Sequence, residues 1–435
     1  MKMGRPRGGR KTRRWVGMEF DTLDYLHLLR LGAWVRAFID AAVAIGTWRF
    51  FARRAAIDRP GRPVGVGPMV IALLAAGVTC GAKAIAPLLL MRDLFGVVRV
   101  LYLGIAVAPA ALGAWVLGSA IPASRARPDP LLNPTAATAS RRSTAALTLA
   151  LLLFVPVPVC AYASFVAPFQ LVTERHEVAL PRLATSVAPI RVGVLADLQT
   201  DAVTDYEYSA IDRLLAEKPD LILLPGDFFQ ASWRQWQERG ASYRKLIERL
   251  DAPFGCYAVC GDVDDPDDLS QLLAGTRVRL LANDIATVSV RGTNLAIGGV
   301  ELHPRTAGSL ATIRRLAATP CDLRLLVAHR PDVALDLTPA DGVDLFVAGH
   351  THGGQIVIPG FGPPVTLTHV PRRIAAGGLH DLNGQPVYIS RGVGHERGSA
   401  PPMRLFCPPE ISILTLMGGH TTENPTASAQ QSLPP

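Results

Sequence analysis

Five short apolar runs, each followed by an acidic residue or a histidine, constrain the fold of this chain more than any other feature. They span residues 189–196, 220–225, 256–260, 323–328 and 343–348. Apolar runs of this length, bounded by glycine and polar residues, predict buried β-strands. The carboxyl ends of parallel strands lie along one edge of a sheet, so the polar side chains that follow them are expected to meet there. Those side chains belong to Asp197, Gln199, Asp227, Asp262, Asp264, His329, His350 and His352.

The most specific of these strand ends follows the fifth run and reads Gly349-His350-Thr351-His352-Gly353-Gly354-Gln355. Two imidazoles one residue apart, beside glycines that let the backbone turn sharply, suit a metal site. An isolated Asp after a strand is usually a turn residue or a helix cap, and a histidine pair can be an ordinary polar part of a loop. Five such strand ends in one chain favour a metal centre.

The order and spacing of these motifs resemble the calcineurin-like metallophosphoesterase family, whose signature is D-x-H, G-D, G-N-H-D, a lone His and G-H-x-H. The resemblance covers residues 187–418, and the surroundings of the last two motifs (328–332 and 390–394) resemble a membrane-associated bacterial branch. It implies an α/β fold, a four-layer αββα sandwich. It also implies two divalent metal ions (Mn, Fe, Zn or Mg) that activate a water to hydrolyse a phosphoester.

The resemblance implies two sets of metal ligands. The first set is Asp197, Asp227 and His352, with Gln199 offering a carbonyl oxygen. The second set is Asp227 as a bridge, Asp262, His329 and His350. Asp227, Asp262 and His350 are expected to be catalytic on the same basis.

Three positions depart from the family pattern: Gln199 and Val263 replace histidines, and Asp262 replaces an asparagine. An amide oxygen is a weaker ligand than an imidazole, so the first site is expected to be looser or to favour a harder ion such as Mn or Mg. The carboxylate of Asp262 adds negative charge and should tighten cation binding.

Val263 can neither bind a phosphate nor protonate a leaving group. The enzyme therefore cleaves esters that need little protonation, or it takes an acid from elsewhere, with His303, His395 and Glu396 as candidates. Each of these histidines alone is more often an ordinary surface residue.

Further residues are expected near the substrate. Asp264, Arg391 and His395 are candidate substrate contacts, as is Arg397, although the arginines could equally be solvated surface groups. The aromatic residues after Asp227 could touch an apolar substrate tail, but burial under the following helix is favoured. These residues are Phe228, Phe229, Trp233 and Trp236.

Amphipathic patterns predict helices over 206–218, capped by Asp205, and over 236–250. Segments 286–290 and 293–297 predict a hairpin, and segments 385–390 and 410–416 are expected to be closing strands.

Hydrophobic residues make up 49% of the chain and charged residues only 18%, and the apolar excess lies before residue 172. Runs 100–121 and 145–171 carry no charge, run 68–91 contains only Lys83, and run 31–48 is interrupted by Arg36 and Asp40. Lengths near 20 residues suit a bilayer core. Residues 31–171 therefore predict a transmembrane helical region of three to four spans after a basic N-terminal tail, 1–30. Residues 419–435 are expected to form a flexible tail.

Arginines concentrate in linkers 49–67 and 122–144 rather than in turn 92–99, which predicts that both linkers are cytoplasmic. The protein is then a multi-pass protein of the cell membrane, and the catalytic region lies on the non-cytoplasmic side. The basic tail agrees if the first run lies on the membrane surface or if translation starts at Met18. The net charge of +8 comes partly from these membrane-flanking residues, so no nucleic acid partner is expected.

The bilayer and a phosphoester substrate, such as a phospholipid or a lipid-linked sugar phosphate, are thus the expected partners. The departures at Gln199 and Val263 keep open a second hypothesis, a catalytically silent phosphate- or lipid-binding module. A transporter is disfavoured because the predicted helices are few and their polar residues sparse.

Overall fold

The computed structural model describes residues 136–302, 306–397 and 400–419, together with scattered positions between 98 and 116. The predicted tail 1–30, the predicted spans 31–48 and 68–91, and most of the span 100–121 lie outside these residues. His303 and all residues after 419 also lie outside them.

Two six-stranded mixed sheets form the centre of the described region. The first contains, in spatial order, β1 (Val172–Leu180), β12 (Glu410–Gly418), β2 (Ile190–Val194), β3 (Leu221–Leu224), β4 (Cys256–Ala258) and β5 (Val278–Leu280). The second contains β10 (Gly378–Leu382), β11 (Gln385–Ile389), β9 (Leu345–Ala348), β8 (Leu323–Val327), β7 (Thr293–Gly299) and β6 (Asp284–Val290).

The five apolar runs become β2, β3, β4, β8 and β9. In the first sheet, β2, β3, β4 and β5 run parallel, and in the second sheet, β7, β8, β9 and β11 do. The predicted hairpin is β6–β7, with Val290 paired to Thr293 across a tight turn, and β11 and β12 are the predicted closing strands. Buried β2, β3 and β9 read as nearly continuous apolar runs because both of their faces are covered.

Helices cover the outer faces of both sheets. The described helices are α1 (Ala136–Phe154), α2 (Pro156–Phe165), α3 (Asp205–Ala216), α4 (Trp233–Ile247), α5 (Pro266–Leu273), α6 (Ala307–Ala318) and α7 (Arg372–Ala375). Helices α3, α4 and α5 pack on the first sheet, and α6 and α7 pack on the second. A third apolar layer, including Val192, Leu223 and Val347, lies between the sheets. These mixed α/β layers agree with the predicted sandwich.

Capping side chains place the helix starts before the predicted ones. Thr204, not Asp205, caps α3, and it forms a capping box with Glu207. Ser232 and Gln235 form the same arrangement at α4, which therefore begins at Trp233 rather than at 236. In both cases the hydroxyl satisfies a free backbone N–H group of the first turn.

Strand β1 was not predicted from the sequence, since its alternation of charged and apolar residues is weak. It pairs in parallel with β12 over its whole length, from Val172 with Glu410 to Leu180 with Gly418. The folded domain therefore begins immediately after the last apolar run.

That apolar run is helical. Within the described part of the chain, one stretch, Leu147–Phe169, is long and apolar enough to cross a membrane by length and composition. It consists of the end of α1, all of α2 and a 3-10 turn, Ala167–Phe169. Several of its large side chains are exposed, among them Leu152 at 63% and Phe165 at 75%. The predicted transmembrane region, this stretch included, stays a prediction.

Candidate metal centre

The strand ends predicted to meet do meet. Asp197 and Gln199 follow β2, Asp227 follows β3, Asp262 follows β4, His329 follows β8, and His350 and His352 follow β9. Hydrogen bonds join these ends: the His350 N–H, after β9 of the second sheet, donates to Asp197 Oδ1, after β2 of the first sheet, at 2.9 Å. Within the first sheet, the Gln199 N–H donates to the Asp227 carbonyl at 2.9 Å.

Two groups of side chains could each hold an ion. One is Asp262, His329 and His350, and the other is Asp197, Asp227 and His352; in each, the ligand atoms lie within 4.8 Å of one another. The groups are contiguous, because His329 Nε2 lies 3.3 Å from Asp262 Oδ2 and 3.4 Å from Asp227 Oδ2. This division matches the two ligand sets implied by the family resemblance, although metal ligation itself stays a prediction.

The backbone is strained where these ligands sit. Left-handed φ angles are uncommon outside glycine and cost free energy, so they persist where the surrounding structure imposes them. Five of the predicted ligands have such angles: Asp197 (49°), Gln199 (38°), Asp227 (57°), His350 (73°) and His352 (47°).

Two glycines permit the close approach of the strand ends. A Cβ atom on Gly349 would lie 2.4 Å from Asp197 Oδ2, and one on Gly261 would lie 2.1 Å from Asp227 Oδ1. Any larger residue at either position would displace a predicted ligand, which gives a physical reason for the glycine that precedes each motif.

Hydrogen bonds orient two of the histidines. His329 Nδ1 lies 2.8 Å from the Pro225 carbonyl and His350 Nε2 lies 3.1 Å from the Leu367 carbonyl. A carbonyl can only accept, so in each ring this nitrogen carries the proton and the other one is free to bind a metal. The nitrogens that a metal would bind, His329 Nε2 and His350 Nδ1, face Asp262 Oδ2 at 3.3 and 2.8 Å.

Asp264, a predicted substrate contact, already has hydrogen-bond partners within the protein. Its carboxylate accepts the backbone N–H groups of Asp227 (2.8 Å), Phe228 (2.9 Å) and Gly261 (2.8 Å). With three backbone donors on its two oxygens, this side chain holds the loops after β3 and β4 together.

The residues fit a metal because four of their buried ligand atoms lack other partners. Among the described residues, four buried side-chain atoms have no hydrogen-bond partner: Asp197 Oδ2, Gln199 Oε1, His329 Nε2 and His352 Nε2. Unsatisfied buried polar atoms are rare and costly in folded proteins. All four belong to the predicted ligand set, so one or more bound cations would satisfy them together.

The buried charges of these side chains also favour the binding of cations. Burial raises the pKa of Asp197 to about 6, and burial with repulsion from Asp262 and Asp264 raises the pKa of Asp227 well above its usual range. Burial and the nearby Arg404 guanidinium hold the pKa of His352 well below its usual range, so this ring is neutral. Burial and mutual repulsion both disfavour the ionised form of these carboxyl groups. A bound metal ion stabilises that ionised form.

His329 gives the metal affinity a predictable pH dependence. Burial opposes its charge, but Asp227 and Asp262 outweigh burial and raise its pKa to about 10. Because the pKa of His329 is higher in the folded than in the unfolded state, its protonation stabilises the metal-free protein. This contribution is fully present below about pH 6.5 and is lost as the pH rises toward 10. A metal on Nε2 must displace that proton, so we expect metal affinity to rise by up to about tenfold per pH unit between pH 6.5 and 8.5.

Thermal melts with and without Mn²⁺ across this range measure the effect, and the metal-induced rise in melting temperature should grow with pH. His329→Gln carries no titrating ring and should flatten the dependence. A rise independent of pH in the unsubstituted chain would contradict the assignment of His329 as a ligand.

Gln199 has a fixed orientation. Its Nε2 donates to Glu396 Oε2 at 3.1 Å, while Glu396 Oε1 accepts from Gln230 Nε2 at 3.1 Å. Because the amide nitrogen binds the carboxylate, Oε1 remains as the buried acceptor without a partner. Glu396, a candidate acid from the sequence, thus aligns a predicted oxygen ligand.

The amide oxygen of Gln199 should make the first site prefer Mn²⁺ over Zn²⁺ more than a histidine would. We expect Gln199→His to raise the affinity of the first site for Zn²⁺ relative to Mn²⁺ by about tenfold or more, since imidazole suits zinc better than an amide does. Competition titration against a chelating dye measures the ratio. Gln199→Ala is the matched control and should weaken both ions; equal Zn²⁺ preference in all three proteins would show that residue 199 is no ligand.

Asp262 has an ion-pair partner that the sequence did not reveal. Arg330 Nε donates to Asp262 Oδ1 at 3.0 Å, and Arg330 Nη2 donates to the same oxygen at 2.5 Å. Burial opposes ionisation of Asp262, but His350 and His329 outweigh burial and hold the pKa of this carboxyl well below its usual range. The Arg330 guanidinium offsets part of the negative charge that Asp262 adds, and the tighter cation binding expected from that charge stays a prediction.

The other predicted substrate contacts have structural partners. Arg391 forms ion pairs with Glu410 and Glu174, and Arg397 pairs with Asp201 at 2.7 Å and donates to the Gln199 carbonyl. Both guanidiniums pair with carboxylates of the protein itself, and their predicted contact with the substrate stays a prediction. His395 is buried, and burial with nearby Arg397 and Arg404 lowers its pKa to about 3, so it holds no acidic proton as an imidazolium at neutral pH.

Phe228 and Phe229 are buried beneath α4, as the favoured alternative predicted. Phe229 stacks on Tyr243 of that helix with ring centroids 4.1 Å apart, and Trp236 is partly buried beside them. They support the loop after β3 rather than line an opening.

Comparison with known proteins agrees with this geometry. Residues 190–354 match a family model described as calcineurin-like phosphoesterase. The metallophosphoesterase YkuE of Bacillus subtilis is 26% identical over 267 residues, which span 59% of this chain and 88% of that protein. The phosphodiesterase YaeI of Escherichia coli is 29% identical over 258 residues, which span 57% of this chain and 88% of that protein.

Proposed function

Because residues 190–354 match the calcineurin-like phosphoesterase family, we propose that this chain is a metal-dependent phosphoesterase that works at a membrane. The reaction is hydrolysis of a phosphoester, and the similarity to YaeI, a phosphodiesterase, favours a phosphodiester. The substrate is a phospholipid or another lipid-linked phosphate. The catalytic domain lies on the non-cytoplasmic side of the cell membrane.

The observation that carries the proposal is the convergence of unsatisfied ligand atoms at the edge shared by the two sheets. Two divalent ions bound there would lower the pKa of a water, orient a phosphoryl group and offset its developing charge. The donor set suits such ions, since it combines carboxylate oxygens from Asp197, Asp227 and Asp262 with neutral or displaceable imidazole nitrogens.

Arg330 is placed to supply the phosphate contact that Val263 lacks. Its Nε and Nη2 donate to Asp262, its side chain is 18% exposed, and Nη1 has no partner in the described part of the chain. A guanidinium held by one carboxylate keeps donors for a second anion. Arg330 would therefore bind a non-bridging phosphate oxygen while it orients Asp262.

Membrane anchoring is supported by the apolar helical stretch Leu147–Phe169, which leads directly into β1 at Val172. An anchor of this kind keeps the metal centre near the bilayer and raises the local concentration of a lipid-borne phosphoester.

The test uses the full chain, purified in detergent and loaded with Mn²⁺. We expect close to two bound ions per chain and hydrolysis of bis-p-nitrophenyl phosphate that chelation abolishes. A folded, metal-loaded protein without turnover would overturn the hydrolase and favour the phosphate- or lipid-binding module, which the loss of a proton donor at Val263 would explain.

A further inference from the structure

We infer that Ile358, Phe361 and Phe406 form a surface that inserts into the lipid bilayer beside the metal centre. We call these three residues the rim patch. The inference rests on the proposed membrane anchoring and deepens it, since it states which end of the domain faces the membrane and how a lipid phosphoester reaches the metal centre.

The rim patch consists of large apolar side chains that face solvent. Ile358 is 45% exposed, Phe361 56% and Phe406 68%. Two loops carry them and are joined by backbone bonds: the Val357 N–H donates to the Leu405 carbonyl at 2.9 Å, and Ile358 closes a turn with Gly362 at 3.0 Å. The patch is therefore a fixed feature of the fold.

Phe406 is held outward against its conformational preference. Its φ angle is 53°, in the left-handed region that bulky residues rarely adopt. Strain of this kind persists where the surrounding structure imposes it and is concentrated at functional positions. Burying the exposed ring in an apolar phase would provide a compensating gain in free energy.

The apolar helix fixes the depth of the rim patch. The Arg404 N–H donates to the Ala163 carbonyl at 2.8 Å, so the loop that carries Phe406 touches the helix at Ala163. Ala163 lies six residues before Phe169, the end of the membrane-length stretch. Helix α2 ends at Phe165 and a 3-10 turn follows, so at about 1.5–2 Å per residue the contact lies on the order of 10 Å inside that end. If the stretch spans the bilayer, this loop lies at the level of the headgroups and the first acyl carbons.

The strand topology gives the same orientation independently. β1 runs parallel to β12, and β12 runs antiparallel to β2. The amino end of β1, where the chain enters from the helix, is therefore at the same edge as the carboxyl ends of β2, β3 and β4. That edge is the one that carries the metal ligands, so the helix enters the domain beside the metal centre.

Charge on the patch fits a phospholipid surface. The Arg372 guanidinium lies over the Phe361 ring, 4.5 Å from its centroid, and Arg372 and Arg373 are both exposed. Neither arginine has a carboxylate partner in the part of the chain that the structure describes. Aromatic rings with adjacent arginines are typical of the membrane–water interface, where the cations bind lipid phosphates.

The rim patch is also bonded to the metal centre. The Leu405 N–H donates to the Gln355 carbonyl at 2.8 Å, three residues after His352, and Arg404 donates to the His352 carbonyl at 3.4 Å. A patch seated in the headgroup layer would thus hold the ions against the phosphoester of a lipid headgroup, without requiring the lipid to leave the bilayer.

Site-specific crosslinking of the full chain tests this inference. The photoreactive residue p-benzoylphenylalanine replaces Phe406 or, in a second variant, Phe361, and the protein is reconstituted in vesicles of phosphatidylethanolamine and phosphatidylglycerol. Leu152, exposed on the apolar helix, is the positive control. Arg277, exposed at the amino end of β5 and so at the opposite edge, is the negative control.

We expect lipid adducts, detected by mass spectrometry after irradiation, at 406, 361 and 152, and only background at 277. Adducts at 152 without adducts at 406 and 361 would overturn the inference and leave the membrane anchor intact. Absence of adducts at 152 would overturn the anchor and the inference together. Metal content, measured on each variant, shows that the centre has folded, and hydrolysis of the soluble ester remains a separate test of the enzyme.

Discussion

Asp227→Asn is expected to abolish hydrolysis and to empty the metal centre. Asp227 belongs to the first ligand group and lies 3.4 Å from His329 of the second, so it is the carboxylate best placed to bind both ions. Loss of a residue that merely orients a ligand costs about 10–100-fold in metal affinity or activity, so loss of the shared ligand should cost on the order of a thousandfold in kcat/KM. Metal analysis by mass spectrometry should find fewer than one ion per chain.

The same substitution should stabilise the metal-free protein. Burial and neighbouring carboxylates raise the pKa of Asp227, so its ionised form disfavours the folded state at neutral pH, and a neutral amide removes that cost. Without metal, Asp227→Asn should therefore melt above the unsubstituted chain, and with Mn²⁺ below it. Full activity with both ions retained would show that Asp227 is not a shared ligand, and an unchanged melting temperature without metal would contradict the electrostatic account.

Arg404→Met is expected to produce the largest loss of stability. Arg404 is fully buried and donates to five backbone carbonyls on the loops around the metal centre. The acceptors are the carbonyls of His352, Arg391, Gly392, Gly394 and Cys407. Methionine fills much of the same volume but leaves these acceptors buried without donors. We expect a loss of about 3–5 kcal/mol in the free energy of unfolding, or roughly 10 °C in melting temperature.

Thermal melts of the full chain, followed by circular dichroism, measure this loss. Arg234→Met is the matched control, because that side chain is 87% exposed and its ion pair with Glu238 is on the surface, where such pairs contribute about 1 kcal/mol or less. Arg404→Lys keeps a charge but not the fork of donors, so it should melt between Arg404→Met and the unsubstituted chain. Equal melting temperatures for Arg404→Met and Arg234→Met would show that the carbonyls find other donors.

Arg404 and Arg330 also show where reasoning from sequence stops. Nothing about an arginine 52 residues after His352 indicates that its guanidinium will contact the carbonyl of that residue. Arg330 stands beside a predicted ligand, but its pairing with Asp262 joins residues 68 positions apart on different sheets. Contacts between side chains so far apart in the sequence depend on the distance between loops in the folded protein. The periodicity and spacing of residues along the chain do not encode that distance.

The sequence by itself determined the five strands that the predicted ligands follow, because short apolar runs bounded by Gly, Asp and His are typical of buried β-strands. The motifs that follow these strands carry the family resemblance, and that resemblance implied the two ligand groups around Asp227 and His329. Only the tertiary structure decided the roles of Asp264, Arg391 and Glu396, which proved to bind backbone or side-chain groups of the protein. It also joined the apolar helix, through β1, to the edge that carries the predicted ligands. The reason is physical: burial patterns are local and can be recognised along the chain, whereas a polar side chain takes whichever partner the fold brings within about 3 Å.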